Sequence, residues 1–191
     1  MRRIFIFIDG NNFYHGLRYI YKEDRKAIDF NFKNFCDFLS NKWEIVGICY
    51  YNAELDKSKN IDKYYSQQRF FSKLKMIPKL RLVLCKLLKR KLSGTNKYYY
   101  VLKEDDIHMA VDIVEGACED LFDIAIIVSG DGDFVPAVKA VHRKNKTVEN
   151  VYFKKSSSRH LKEHCDSSFE LTKDILDNFF EDYAGSEKNA L

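Results

Sequence analysis

Residues 126–136 read IIVSGDGDFVP, and this stretch decides the fold that we expect for the chain. The apolar run at 124–128 predicts a short strand that is buried on both faces. Pro136 predicts the start of a helix shortly afterwards. Asp131 and Asp133 therefore stand where a parallel strand gives way to a helix. In open α/β sheets the carboxyl ends of the strands hold the ligand site, so the stretch also predicts where chemistry takes place.

A second stretch, at the start of the chain, follows the same pattern. Residues 4–8 are apolar and predict a strand, which ends in the sequence DGNN at 9–12. If the two strands are neighbours in one parallel sheet, their carboxyl ends lie at the same edge. Asp9 would then lie close to Asp131 and Asp133.

The rest of the chain alternates between strand patterns and helix patterns. Strands are predicted at 4–9, 44–51, 80–92, 97–102, 123–129, 148–153 and 169–171. Helices are predicted at 12–19, 31–40, 61–76, 106–117, 135–144, 157–164 and 172–180. The alternation predicts a three-layer α/β/α, Rossmann-like fold with a mainly parallel sheet and a basic β-hairpin insertion around 80–102. We expect one domain over 1–183 and a flexible tail at 184–191.

Composition limits the class of protein. The chain has 191 residues, of which 46% are hydrophobic, so one packed domain is expected. No apolar run reaches the ~20 residues of a membrane helix, and the apolar stretch in MRRIFIFIDG is too short for a signal peptide. The five cysteines form no C-x-x-C pair, which argues against a disulfide framework or a zinc ribbon. We therefore expect a cytoplasmic protein without a membrane partner.

The acidic residues predict a metal site. Asp106 begins a predicted helix, and Asp112 follows six residues later, which turns the two side chains about 120° apart. Both side chains cannot face the same ion, and Asp106 is the preferred candidate because the start of the helix is nearer the sheet edge. Asp112 is either a supporting group or a ligand that a tilted helix brings in. Crowded carboxylates repel each other unless cations such as Mg²⁺ or Mn²⁺ neutralise them, and paired ions can activate water against a phosphodiester. The candidate ligands are Asp9, Asp106, Asp131 and Asp133.

A structural role explains some of these residues equally well. Asp133 before one helix and Asp106 at the start of another are good N-caps, whose side chains accept hydrogen bonds from backbone N–H groups. Taken singly, each residue is as readily a cap as a ligand. The two strand-end motifs together favour a shared site over separate caps.

Three segments, FIDGNN, KEDDIHMAVD and IIVSGDGDFVP, resemble in order and spacing the signature segments of the NYN domain family. This family, also described as LabA-like, is part of the PIN-like nuclease superfamily. The resemblance extends from residue 4 to about residue 171, and SGDGDF is its most specific part. It implies a PIN-like α/β/α fold and metal-dependent ribonuclease activity.

The resemblance also implies roles for individual residues. The acidic metal-site pattern is matched by Asp9, Asp106, Asp131 and Asp133, a recurrent Asp of the helix by Asp112, and the polar residue after the first Asp by Asn12. The chain differs from the commoner pattern at Glu104-Asp105. Asp105 and Asp106 are therefore both candidates for the carboxylate that faces the metals.

Other polar residues could support the site or bind nucleic acid. Ser129 either hydrogen-bonds a carboxylate or a phosphate or only caps the strand end, and Lys103 either steadies the carboxylates or is simply solvated. Cations beside aromatic side chains are typical of single-strand binding, although lysines also protect an edge hairpin from aggregation. The hairpin candidates are Lys86, Lys89, Arg90, Lys91, Tyr98 and Tyr100. A second basic set is expected to be mostly a solvated face: Lys139, Arg143, Lys144, Lys146, Lys154, Lys155 and Arg159.

The preferred function is a Mg²⁺- or Mn²⁺-dependent ribonuclease, an endoribonuclease-type hydrolase, acting on single-stranded rather than duplex RNA. The main alternative is a weakly active or inactive RNA- or protein-binding module on the same fold. A phosphatase of the haloacid dehalogenase type is a third possibility, but its chemistry needs a second Asp where Asn11 stands. A homodimer is also compatible with the sequence.

Overall fold

The computed structural model describes residues 1–22, 25–91, 93–95 and 98–180, with the side chains of 87, 89 and 99–103 outside the described set. The strands are β1 (Arg3–Asp9), β2 (Glu44–Ala53), β3 (Leu80–Lys91), β4 (Tyr98–Lys103), β5 (Ile124–Val128), β6 (Thr147–Tyr152) and β7 (Ser167–Glu170). The helices are α1 (Gly10–Tyr21), α2 (Phe32–Leu39), α3 (Ile61–Lys75), α4 (Asp105–Cys118), α5 (Val135–His142), α6 (Arg159–His164) and α7 (Lys173–Asp177). The predicted domain end at 183 and the tail at 184–191 lie outside the described residues.

The described strands form one sheet of seven in the order β4-β3-β2-β1-β5-β6-β7. All neighbouring pairs are parallel except β3 and β4, which are antiparallel. The predicted α/β fold with a mainly parallel sheet is therefore confirmed. β1 lies between β2 and β5, and Ile8 is opposite Val128 in the register of the pair. The residues that follow these two, Asp9 and Ser129, consequently lie at the same edge of the sheet.

The two faces of the sheet carry separate hydrophobic cores. On one face, α1, α2, α3 and α7 cover a core rich in phenylalanine, including Phe13, Phe32 and Phe35. On the other face, α4, α5 and α6 cover a smaller core that includes Met109 and Val138. Because successive side chains of a strand point to opposite faces, the apolar runs of β1 and β5 supply both cores at once.

Strand β3 changes its partner halfway along its length. Residues 80–85 pair in parallel with β2, and residues 86–91 pair antiparallel with β4. The outer half of β3 and β4 thus form the predicted hairpin, which we call the hairpin arm. Its returning strand ends at Lys103, directly before α4, so the arm connects to the carboxylates at the start of that helix.

The helix ends differ by a few residues from those predicted, for local reasons. Helix α1 begins at Gly10 rather than at residue 12, because the Asp9 side chain accepts a hydrogen bond from the backbone of Asn12 and caps the helix. Helix α4 begins at Asp105, one residue earlier than predicted. In the part of the chain that is described, every helix is too short or too polar to span a membrane.

Candidate active site

Asp9 is held firmly at the end of β1. Its side chain is only 8% exposed. One carboxylate oxygen accepts a hydrogen bond from Asn12 N at 2.9 Å, and the other accepts one from Ser129 Oγ at 2.9 Å. A Cβ on the next residue, Gly10, would lie 2.4 Å from the Tyr50 ring, so glycine is needed for α1 to start this close to β2. Burial and hydrogen bonds together fix the orientation of the Asp9 carboxylate.

The loop after β5 brings two more carboxylates to the same edge. Asp131 N donates to Ser129 Oγ at 3.1 Å, and Asp131 Oδ1 accepts from Asp133 N at 2.9 Å. A Cβ on Gly130 would lie 1.9 Å from the backbone oxygen of Ser156. Glycine therefore allows this loop to pack directly against the segment after β6.

The fourth and fifth carboxylates come from the first turn of α4. Asp105 and Asp106 occupy this turn, and the preceding Glu104 has a left-handed backbone with φ of 74°. Such a conformation costs a non-glycine residue about 1–2 kcal/mol. The Glu104 side chain makes no capping hydrogen bond but forms an ion pair with Lys86 of the hairpin arm at 3.3 Å. The sharp turn at Glu104 thus joins the arm to the acidic first turn of α4.

The charges of these carboxylates act on one another. Burial raises the pKa of Asp9 to about 6, with further increases from the charges of Asp105 and Asp131. Partial desolvation raises the pKa of Asp106 to about 7, and the other four carboxylates add to the rise. The pKa of Asp105 is also raised, mainly by desolvation and in addition by Asp131. We call Asp9, Asp105, Asp106, Asp131 and Asp133 the acidic cluster.

The donor set of the acidic cluster suits a hard divalent cation. Its oxygen atoms are the ligands that Mg²⁺ and Mn²⁺ prefer, and none of the described Lys, Arg or His side chains forms an ion pair with the cluster. Within the described residues, however, no three acidic, His or Cys groups gather around a single metal position. The fit therefore rests on donor chemistry and uncompensated charge, with the carboxylates near each other but not assembled around one point.

The structure places Asp112 outside the acidic cluster and gives its carboxylate other partners. Its Oδ2 accepts hydrogen bonds from Tyr51 Oη at 2.6 Å and from the Arg81 guanidinium at 2.7 Å. Arg81 Nε also donates to Cys49 Sγ at 3.3 Å. Asp112 lies farther along α4 than the acidic first turn and is rotated away from it. Its carboxylate ties α4 to strands β2 and β3 instead.

Asn12 and Ser129 connect the segments of the site. Asn12 Oδ1 accepts from Gly130 N at 3.3 Å and from Ser156 Oγ at 3.0 Å. Ser129, which is 1% exposed, donates to Asp9 and accepts from Asp131 N. Of the two roles predicted for Ser129, the structure therefore shows a hydrogen bond to a carboxylate. Asn12 joins α1, the loop after β5 and the segment after β6 in one network.

Two residues of the site, Ser156 and Asn150, were not predicted from the sequence, whereas Asp105 was named as a candidate beside Asp106. Asn150 of β6 is 1% exposed, and its Nδ2 donates to the backbone oxygens of Ile127 at 3.2 Å and Ser129 at 2.8 Å. Its Oδ1 is buried without a partner among the described atoms. A polar Asn inside the strand TVENVY is the sequence signal that could have identified it.

The hairpin arm carries the predicted nucleic-acid-binding residues. Lys86 is engaged with Glu104, Arg90 and Lys91 are exposed, and the Tyr98 side chain is 52% exposed. The side chains of Lys89, Tyr100 and Lys103 lie outside the described set, although the backbones of Lys89 and Tyr100 pair in register. The arm therefore presents Lys86 beside the start of α4, and Arg90, Lys91 and the Tyr98 ring towards its far end.

The chain thus has an α/β fold with a mainly parallel sheet, and its acidic cluster lies at the carboxyl ends of the strands. The family model of the NYN domain matches residues 3–172, and the chain belongs to this family. A solved structure with the same fold is that of a Vibrio parahaemolyticus protein of unknown function, with 23% sequence identity and a TM-score of 0.68. The match covers 92% of this chain and 96% of the other. None of the curated proteins matches the chain.

Proposed function

We propose that the protein is a divalent-metal-dependent ribonuclease that hydrolyses phosphodiester bonds of RNA at the acidic cluster. The observation that carries the proposal is that five carboxylates from three separate segments lie near each other at one sheet edge, and the pKa values of three of them are raised. Membership in the NYN family supports nuclease chemistry at this position. The pairing with Mg²⁺ or Mn²⁺ follows from the oxygen donors and the surplus of negative charge.

The members of the cluster have different tasks in this proposal. Asp9 has the most firmly oriented carboxylate of the site, because its two oxygens accept hydrogen bonds from Asn12 and Ser129. Asp106 and Asp133 are exposed, and no described hydrogen bond involves their side chains, so they face the approaching substrate. Bound metal ions would activate a water molecule and neutralise charge on the phosphate. The protein's own part is to present the carboxylates in a fixed arrangement beside the scissile bond.

The proposal is tested by Asp131→Asn. Asparagine keeps the size and the oxygen that accepts the Asp133 N–H but removes the charge, so we expect cleavage of labelled single-stranded RNA in Mn²⁺ to fall at least about 100-fold. Gel analysis of the products measures this rate. Asp120→Asn is the matched control, since Asp120 is an exposed aspartate that pairs with Arg3 at 3.1 Å beside the start of β5. A fully active Asp131→Asn protein would refute the proposal.

One observation favours a second candidate, a binding module with little turnover. The described groups do not assemble around a single metal position. Such a module would bind single-stranded RNA in Mn²⁺ and leave it uncut. The same incubation separates the two functions, because a gel shift with intact RNA supports the module and product bands support the nuclease.

A further inference from the structure

The exposed face of α1 and the turn after β6 form a basic and aromatic surface. We call it the α1 strip, and it consists of Tyr14, Arg18, Tyr19 and Lys155. Tyr14 is 43% exposed and Tyr19 is 58% exposed. The Lys155 ammonium lies 4.3 Å from the centre of the Tyr19 ring, and the Arg18 guanidinium lies 5.7 Å from that of Tyr14. Each tyrosine therefore has a cation over its face.

The α1 strip is joined to the acidic cluster by rigid contacts. Helix α1 starts at the residue after Asp9, and Tyr14 and Tyr19 stand about 7 and 15 Å farther along its axis. Ser156, next to Lys155, donates a hydrogen bond to Asn12. A Cβ on Gly16 would lie 2.3 Å from the Phe153 ring, so the turn after β6 packs closely on α1. The α1 strip therefore has a fixed position beside the acidic cluster.

The charge of the strip is opposite to that of the cluster. The segments 10–22 and 153–162 contain no Asp or Glu, and no described ion pair involves Arg18 or Lys155. A group of carboxylates repels the phosphates of RNA, and this repulsion reaches about 8–10 Å in physiological salt. A substrate therefore needs a positive surface beside the cluster, and the strip begins about 7 Å beyond Asp9 along α1.

We propose that the α1 strip binds single-stranded RNA and leads it to the acidic cluster, which deepens the proposed function and rests on it. Bases stack on Tyr14 and Tyr19, and phosphates contact Arg18 and Lys155. A single strand fits because tyrosines on a convex helix cannot reach bases that are paired inside a duplex. Lys155 was predicted to lie on a solvated face, and this proposal gives it a role in RNA binding instead.

Fluorescence anisotropy with a labelled oligouridylate of about 12 nucleotides, a length within the usual single-strand site sizes, tests the proposal. EDTA is present throughout, so cleavage does not interfere. We expect the double variant Tyr19→Ala/Lys155→Ala to bind about tenfold more weakly. The conservative variant Tyr19→Phe keeps the ring and should restore the affinity that Tyr19→Ala loses. Arg18→Ala should weaken binding and reduce the slope of log affinity against log salt by about 1.

The matched control for Arg18→Ala is Arg2→Ala. The Arg2 guanidinium also lies over an aromatic ring, that of Trp43, at 5.1 Å. Arg2 precedes β1, so it lies at the opposite end of that strand, about 20 Å from the acidic cluster. We expect Arg2→Ala to bind the oligonucleotide within twofold of the wild type. Equal loss in Arg2→Ala and Arg18→Ala, unchanged binding by the double variant, or equal affinity for duplex RNA would overturn the proposal.

Failure of this inference and failure of the proposed nuclease give different results. Hydrolysis of bis(p-nitrophenyl) phosphate in Mn²⁺ by the wild type and by Asp131→Asn tests the nuclease with a diester too small to span the strip. If the wild type hydrolyses no diester but the strip variants lose RNA binding, the nuclease proposal fails, and the strip is an RNA-binding surface that does not serve cleavage. If the wild type hydrolyses the diester and the strip variants bind RNA normally, only the strip proposal fails.

Discussion

Asp9 combines a structural task with a place in the acidic cluster. It caps α1 through Asn12 N and is held by Ser129, while its raised pKa shows that its charge is disfavoured in the folded protein. The sequence left a cap and a ligand as alternatives for such residues, but one carboxylate can serve both. Asp131 likewise caps the short turn at 132–134, whereas Asp106 and Asp133 cap no helix through a described side-chain bond.

The repulsion within the cluster predicts a stabilising substitution, Asp106→Asn. Its carboxylate is partly desolvated and lies near four others, so removing its charge lowers the free energy of the metal-free fold. We expect the melting temperature in EDTA to rise by about 2–4 °C, as for a gain of about 1 kcal/mol. Differential scanning calorimetry measures the change.

The same measurement with Mn²⁺ provides the contrast. Mn²⁺ should raise the melting temperature of the wild type more than that of Asp106→Asn, because the variant has lost a carboxylate that the cation neutralises. Asp120→Asn, which loses partners instead of repulsion, should lower the melting temperature slightly. A lower melting temperature for Asp106→Asn in EDTA would contradict the account of the cluster.

At the level of elements, most strands and helices could be predicted because each carries a clear pattern. The apolar run of β5 and the alternation of the arm are local signals, and both elements occur where they were predicted. The contacts of Asn12 with Gly130 and Ser156 could not be predicted, since they join residues more than 100 positions apart. Local spacing identifies an element, but it does not show which distant side chain meets it.

Asp112 illustrates the limit of spacing arguments within one helix. The spacing from Asp106 already placed the two carboxylates about 120° apart. What the sequence could not supply was the alternative partner, because Tyr51 and Arg81 belong to strands far away along the chain. The resemblance to a family pattern added a ligand role for Asp112, and that role stays a prediction.

We expect Asp112→Ala to lower the stability of the fold without weakening metal binding. Asp112→Ala leaves the Tyr51 hydroxyl and the Arg81 guanidinium without their acceptor, which we expect to cost about 1–3 kcal/mol in free energy of unfolding. Urea denaturation measures this cost. Arg81→Ala is the companion variant, and the double variant should lose less than the sum because the two side chains interact directly. If Asp112→Ala instead abolishes the Mn²⁺-induced rise in melting temperature, Asp112 belongs to the metal site.

In the whole molecule, the carboxylates at one edge of the sheet are paired with cations, and those at the other edge are not, as far as the described side chains go. At the amino-terminal edge, Arg3 pairs with Asp123 at 2.8 Å and with Asp120 at 3.1 Å, and Lys146 pairs with Asp120 as well. At the carboxyl-terminal edge, the acidic cluster has no described cation partner. One edge therefore contributes to stability, and the other keeps its charge available for a ligand.

The ion pair between Arg3 and Asp123 at the amino-terminal edge should make the stability of the fold depend on pH. Hydrogen bonds from Arg3 lower the pKa of Asp123 to about 2, below the value of about 3.9 expected in the unfolded chain. A lowered folded-state pKa means that the stabilisation is complete above about pH 4 and is lost as the pH falls towards 2. Asp123→Asn should therefore be less stable than the wild type at pH 6, and this difference should shrink between pH 4 and pH 2.

Urea denaturation across that range measures the difference. Asp174→Asn is a suitable control, because Asp174 is an exposed aspartate in the first turn of α7. No described ion pair involves Asp174, so Asp174→Asn should not reproduce the loss of stability expected for Asp123→Asn at pH 6. A constant difference between the wild type and Asp123→Asn at every pH would show that the Arg3 contact does not depend on the charge of Asp123.

The divided pairing of β3 has a consequence for protein engineering. The ladder with β2 ends at Cys85, and the pairing of the remaining residues is with β4 alone. The arm can therefore be treated as a replaceable cassette between Lys86 and Lys103. Loops of other lengths or sequences, grafted at these two points, would leave the hydrogen bonds of the six parallel strands as they are.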